Sequence, residues 1–146
     1  MKKLFVLLMV VTVTITTNAQ MNLGGGFGFS SKKSLVAEMT MGYDFKAVFV
    51  KVGYLAQMSN KTDKGAFFNA QLGHTVNLNE DWSIQPAIGY AYVLKTTDDK
   101  MLNKEAVIGS IYLVKNVIYQ GQIYFGANYS DKTFLAVVGM RLNLEQ

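Results

Sequence analysis

Cysteine is absent from the 146 residues, and proline, histidine and tryptophan each occur once. Without cysteine there is no disulfide framework, thiolate metal site, cysteine nucleophile or lipid-bearing cysteine at a mature N-terminus. A lone histidine, His74, leaves too few imidazoles for a histidine-based metal centre. Charged residues make up only 16% of the chain, and no Lys/Arg cluster is interleaved with aromatics, so nucleic acid is not an expected partner. Helical spacing is missing as well: after residue 20, apolar residues never recur at helical intervals over three turns. What is present is 50% hydrophobic residues, thirteen glycines, eight tyrosines and nine phenylalanines, in a length that suits one domain.

The first twenty residues form an address. Lys2 and Lys3 precede an apolar run from Leu4 to Val13, and a polar stretch leads to the small residues of Thr17-Asn18-Ala19. That is the layout of a secretory signal peptide. The run is too short to span a membrane as a helix, which needs roughly 20 residues. Cleavage is expected after Ala19, giving a signal peptide over 1–19 and a barrel domain over 20–146. The mature part has 127 residues and a charge of +2, because Lys2 and Lys3 leave with the signal.

Beyond residue 20 the hydrophobic period is two, the signature of half-buried strands. Leu35, Ala37, Met39, Met41, Tyr43 and Phe45 alternate with Ser34, Val36, Glu38, Thr40, Gly42 and Asp44. Val48 to Met58, Phe68 to Val76, Trp82 to Tyr92 and Phe134 to Leu144 repeat the pattern, and weaker strands are predicted at 21–29, 105–114 and 117–128. The count is eight. Short connections are expected at Phe45-Lys46, Asn79-Glu80-Asp81 and Lys115-Asn116, and longer polar ones at 59–64, 95–104 and 130–133; the first, 30–33, is also brief. Short turns at one end and longer loops at the other are the habit of an outer-membrane barrel, with both chain ends on the periplasmic side. Turn parity predicts the facing pairs Leu78–Trp82, Tyr129–Phe134 and Tyr112–Tyr119, with all six residues pointing outward.

Alternation alone does not say which face meets lipid. Aromatics sit near the ends of the apolar stripe: Tyr43, Phe45, Trp82, Tyr112 and Tyr119 at the turn end, and Tyr54, Phe68, Tyr90, Tyr92, Tyr129 and Phe134 toward the loop end. Such rings suit a lipid–water boundary. The other face carries Gly, Ser, Thr, Asn and Gln with Glu38, Lys51 and Arg141, too polar for a lipocalin-like ligand cavity. The expected fold is therefore all-β: an eight-stranded antiparallel up-and-down transmembrane β-barrel, closed because an open edge in lipid leaves backbone groups unpaired.

In this the chain resembles the small outer-membrane barrels of the OmpX/OmpA-barrel type, especially those of Bacteroidota. The resemblance spans the mature length and rests on the signal ending Asn18-Ala19-Gln20, on Ser83-Ile84-Gln85-Pro86-Ala87-Ile88-Gly89-Tyr90, and on the closing Val138-Gly139-Met140-Arg141-Leu142-Asn143-Leu144. It implies the outer membrane of a Gram-negative bacterium, a porin-like wall in contact with outer-membrane lipid, and a last strand read by the barrel-insertion machinery. That strand departs from the common pattern by ending Leu144-Glu145-Gln146 rather than in an aromatic residue. The resemblance specifies an architecture, not an activity.

Candidate sites are few. Gly24-Gly25-Gly26-Phe27-Gly28 lacks the third glycine and the strand–helix context of a phosphate loop, and is expected to make room inside the barrel. His74 would be the base of a lipid-modifying outer-membrane enzyme, but no serine stands two residues on, so an ordinary interfacial histidine is expected. With a turn at Phe45-Lys46, Lys51 should oppose Thr40 and lie diagonal to Glu38; with Arg141 these form an interior polar network in a barrel too narrow for a pore. A narrow ion path is the alternative. Asp98-Asp99 supply too few oxygens for calcium, and the glycosylation sequons at Asn60 and Asn128 are expected to be chance matches. Pro86 within a strand calls for a bulge. No cofactor is expected. The expected role is non-enzymatic, structural or interactive, with any protein partner met through loops 59–64 and 95–104; a soluble periplasmic barrel with an apolar ligand is the remaining alternative.

Overall fold

The structure, a computed structural model, describes residues 20–31, 34–58, 64–97, 100–118, 120–130 and 133–144. Residues 1–19, where a signal peptide is expected, Tyr119, and residues 59–63 and 98–99 lie outside them. Eight strands follow one another in the order of the chain: β1 Gln20–Ser30, β2 Leu35–Phe45, β3 Val48–Met58, β4 Lys64–His74, β5 Trp82–Thr97, β6 Lys100–Ile118, β7 Gly121–Ser130 and β8 Thr133–Leu144. After Thr75, β4 resumes as the two-residue segment Val76–Asn77. Each strand pairs antiparallel with its neighbours in sequence, and β1 pairs with β8 to close the ring.

Register sets the shape of the ring. Following paired residues from Asn116 through Gln122, Arg141, Gly24, Thr40, Gly53, Asn69 and Ala91 leads back to β6 at Ala106, ten residues from the start. That stagger tilts the strands within the usual range of roughly 35–45°, and barrels of eight strands generally have a bore about as wide as their own side chains.

The hairpins explain where the strands end. Phe45 pairs with Val48, so the first turn is Lys46-Ala47 and not Phe45-Lys46. Lys46 adopts a positive φ of 56° there, which lets Phe45 stay in the ladder and moves Lys51 opposite Gly42 instead of Thr40. The turn at 79–81 forms as expected. Leu78 N donates to Trp82 O at 2.8 Å, and the Asn79 side chain accepts from the backbone of Asp81 and Trp82, both at 2.9 Å. Tyr129 faces Phe134, also as expected.

Three further expectations are corrected. Lys115-Asn116 is no turn: both residues stay in β6, Lys115 facing Trp82 and Asn116 facing Gln122, and the strand runs on to Ile118 after an irregularity. Of the loop expected at 95–104, residues 95–97 and 100–104 are strand, because β5 and β6 remain paired as far as Thr97 and Lys100, and residues 98–99 lie outside the described residues. Pro86 brings no bulge, since β5 and β6 keep one register from end to end. Its cost falls on the other side. Thr75 N donates to Ala47 O at 2.7 Å, and alternation then turns the backbone of His74 toward Pro86, whose ring nitrogen has no hydrogen to give. The β4–β5 ladder stops at Gly73 and resumes at Val76.

Candidate functional site

Sidedness is the first property of the wall. Phe27, Phe29, Met39, Ile88, Val107 and Met140 are 60–69% exposed on the outside, while Asn22, Glu38, Lys51, Gln71, Asn128 and Arg141 are buried within. Polar side chains pack inward and apolar ones outward, the reverse of a soluble barrel.

Glycines decide what the interior holds. Tyr124 faces Gly139, and its ring and hydroxyl occupy the space that a Cβ at Gly139 would take. Tyr112 likewise fills the space over Gly126, its direct partner, and Phe49 fills that over Gly73. A large ring on one strand thus sits on a bare backbone of the next. Tyr112, Tyr124, Val114 and Val137 form the buried cluster.

Tyr112 was expected at the membrane interface, facing Tyr119. It is instead 4% exposed, inside the barrel, opposite Gly126. Strand β6 is apolar on both faces, with Val107, Ile111 and Leu113 outside and Ile108 and Val114 inside, so its pattern does not choose a side. The Gly126 gap and a partner for the hydroxyl do: Tyr112 O–H donates to Asn128 Oδ1 at 2.6 Å. Ser110 Oγ donates to the same oxygen at 2.6 Å.

The interior charges meet in part. Lys51 Nζ lies 3.9 Å from Glu38 Oε1 and 3.6 Å from the centroid of the Tyr112 ring. Tyr124 O–H donates to Glu38 Oε2 at 2.8 Å. Lys51 and Glu38 therefore each have both a counter-charge and a second polar or π contact, the condition under which such a pair is tolerated in a poorly solvated place. Arg141 joins a different branch. Its Nε donates to Gln122 Oε1 at 2.5 Å and its Nη2 to Gln85 Oε1 at 3.0 Å, and Gln85 Nε2 passes on to Thr75 Oγ1 at 3.1 Å. Thr40, Phe49, Lys51, Gln85, Tyr112, Tyr124 and Arg141 line a residual cavity of about 10 Å³, about the size of a single water. Tyr124, Gln85, Gln122 and Asn128 are not part of the interior network expected from the sequence; the glycine facing Tyr124, and the alternation of Ile123 and Phe125 around it, are the signals that point to Tyr124.

The remaining rings lie where alternation puts them. Tyr54 and Phe68 pair with centroids 4.9 Å apart on the outer wall, and Tyr90, Tyr92, Tyr129 and Phe134 are exposed toward the loop end. At the turn end Tyr43 is half-buried, and Lys115 Nζ lies 5.2 Å from the Trp82 ring centroid. His74 is exposed on the outer wall opposite Val48. Among the described residues, no three of His, Cys, Asp and Glu come together as metal ligands.

A closed, inside-out, eight-stranded antiparallel barrel defines the class: this chain has the outer-membrane β-barrel fold. No protein-family model and no curated protein sequence matches the chain. Solved structures do. A de novo designed transmembrane β-barrel superposes with a TM-score of 0.71 at 13% identity, over 86% of this chain and 95% of that one. The N-terminal β-barrel domain of Pseudomonas aeruginosa OprF gives 0.62 at 11% identity over 86% and 96%, and the outer membrane enzyme PagL gives 0.61 at 7% over 84% and 99%. A designed barrel, a domain of a larger protein and an enzyme share this architecture, so the fold does not assign the task.

Proposed function

We propose that this chain is an integral outer-membrane protein of a Gram-negative bacterium, with a side-chain-filled interior, no open pore and a non-enzymatic role in envelope structure or surface interaction. The observation that carries the reading is the sidedness of the wall: among the described side chains of the strands, large apolar residues face outward and polar ones face in. A soluble ligand-binding barrel would place that apolar face inside, so this arrangement argues against the periplasmic alternative. Tyr43, Tyr54, Trp82, Tyr90, Tyr92, Tyr129 and Phe134 serve as the interfacial belts in this reading. Glu38, Lys51 and Arg141 serve to plug and hold the interior.

The likeness to OmpX/OmpA-type barrels of Bacteroidota, and the use of the last strand by the insertion machinery, rest on the Ser83–Tyr90 and Val138–Leu144 motifs. The enzymatic alternative is opposed by the place of His74. It lies on the outer wall near the turn end, beside Val48 and next to the ladder gap, with no described nucleophile in hydrogen-bond contact. The deciding experiment compares boiled and unboiled membrane fractions on a denaturing gel. A closed membrane barrel migrates differently before and after heating; release by osmotic shock with no mobility shift overturns the proposal.

A further inference from the structure

A carboxylate stands on the apolar wall. Glu105 of β6 is exposed and pairs directly with Tyr92, an outward residue of β5, so the two side chains share the outer face. Among the described side chains of the outer wall above the turn end, Glu105 is the only charged one. An ionisable group on a lipid-facing surface is costly, and it marks a place where a partner is engaged. Part of that partner is visible. Tyr90, diagonal to Glu105 across the ladder, donates its O–H to Glu105 Oε2 at 2.7 Å. A carboxylate has about four lone-pair sites, so one tyrosine leaves it able to accept more.

Beside this pair the wall opens into a trough of about 710 Å³. Its floor is Ala70, which pairs with Tyr90 on one side and Val52 on the other, while Phe68 stands two residues nearer the loop end. Met39, Tyr54, Phe68, Tyr90 and Tyr92 rise around that small side chain. Tyr90 and Tyr92 therefore belong to both features: they line the trough, and they adjoin the carboxylate. A second trough, of about 720 Å³, lies over Ala127 and Ala136 between Phe29, Ile111 and Phe125, and no charged residue lines it.

We infer that Glu105 and the trough over Ala70 form a binding site for an outer-leaflet lipid with an ammonium headgroup. The carboxylate takes the ammonium through charge-assisted hydrogen bonds. The faces of Tyr90 and Tyr92 attract the same cation, and an acyl chain lies over Ala70 between the aromatic rings. A lipid is chosen over a soluble amine because the trough opens on the outer wall, continuous with the surface that contacts the bilayer, and not into the mouth of the barrel. This site depends on the outer-membrane placement proposed above.

The test uses the full mature chain folded in detergent, with dioleoylphosphatidylethanolamine titrated in and bound lipid counted by native mass spectrometry. The parent should hold this lipid at least fivefold more tightly than dioleoylphosphatidylglycerol, which has the same chains and no ammonium. Glu105→Gln should remove that preference and leave phosphatidylglycerol binding within twofold. Ala70→Phe, which fills the floor, should weaken phosphatidylethanolamine at least fivefold, whereas Ala127→Phe in the uncharged trough should change it less than twofold. No preference in the parent, or an equal effect of Glu105→Gln on both lipids, overturns the inference. Tail-free glycerophosphoethanolamine binding as tightly as the lipid would make the ligand a soluble amine and refute the lipid assignment. A preference that appears only with added magnesium would make the occupant a metal ion, with the same consequence. Heat-dependent gel mobility of the parent and each variant verifies the closed barrel and keeps a failure of this site distinct from a failure of the barrel proposal.

Discussion

Glu38 shows what a single side chain contributes inside a barrel this narrow. Its carboxylate balances Lys51 and accepts from Tyr124, and all three are buried. Glu38→Gln keeps an acceptor for the tyrosine but leaves the ammonium without its counter-charge. Breaking one partner of a buried pair costs about 3 kcal/mol, and urea unfolding in lipid vesicles should show a loss of that size. Glycine positions separate into two kinds. A Cβ at Gly139 meets both the Tyr124 ring and the backbone oxygen of Gly25, whereas one at Gly109, on the outer wall, meets nothing within 4 Å. Gly139→Ala should therefore cost about 1–3 kcal/mol by overpacking, and Gly109→Ala should be neutral or slightly stabilising in the same assay. The Tyr124–Gly139 match is legible in the sequence only once the two strands are known to be neighbours in register.

At the scale of the strand, Pro86 is the informative exception. A closed barrel has no free edge on which to hide a missing donor, and a bulge was the expected remedy. The structure instead leaves the β5–β6 register intact and opens a gap in the β4–β5 ladder at His74 and Thr75, near the turn end. Pro86→Ala restores the donor opposite His74. It should stabilise the barrel by about 1 kcal/mol, the net worth of one hydrogen bond, and the new amide should be protected in hydrogen exchange. An unprotected amide at residue 86 would mean that the gap has another cause. Strand β6 teaches a second lesson at this scale: with apolar residues on both faces, its side-chain pattern is compatible with either orientation of Tyr112.

At the scale of the molecule, the strand number and stagger fix the bore, and the bore fixes what can pass. The proposed filled interior is supported by eight strands staggered by ten residues and by Lys51, Tyr112, Tyr124 and Arg141, which line a gap of about 10 Å³. Planar-bilayer recordings of the reconstituted chain should therefore show no stable ion conductance. Sustained open-channel steps would contradict the filled interior and revive the ion path. The apolar exterior makes the complementary demand, since that surface is at home only in lipid.

Local alternation by itself determined which residues share a face in most strands, how many strands there are, and which end carries the short turn at 79–81. Period two is a property of each strand alone, and the polar face with Glu38, Lys51 and Arg141 is visible without any partner. Tertiary structure decided the rest: the Lys46-Ala47 turn, the position of Lys51 opposite Gly42, the continuation of β6 past Asn116, and the inward turn of Tyr112. Each of these depends on how one strand slides against the next. That sliding is settled by closure of the ring and by rings seating on glycines far away in sequence, Tyr112 on Gly126 and Tyr124 on Gly139. A local pattern specifies a face; only the assembled sheet specifies which residue stands opposite which.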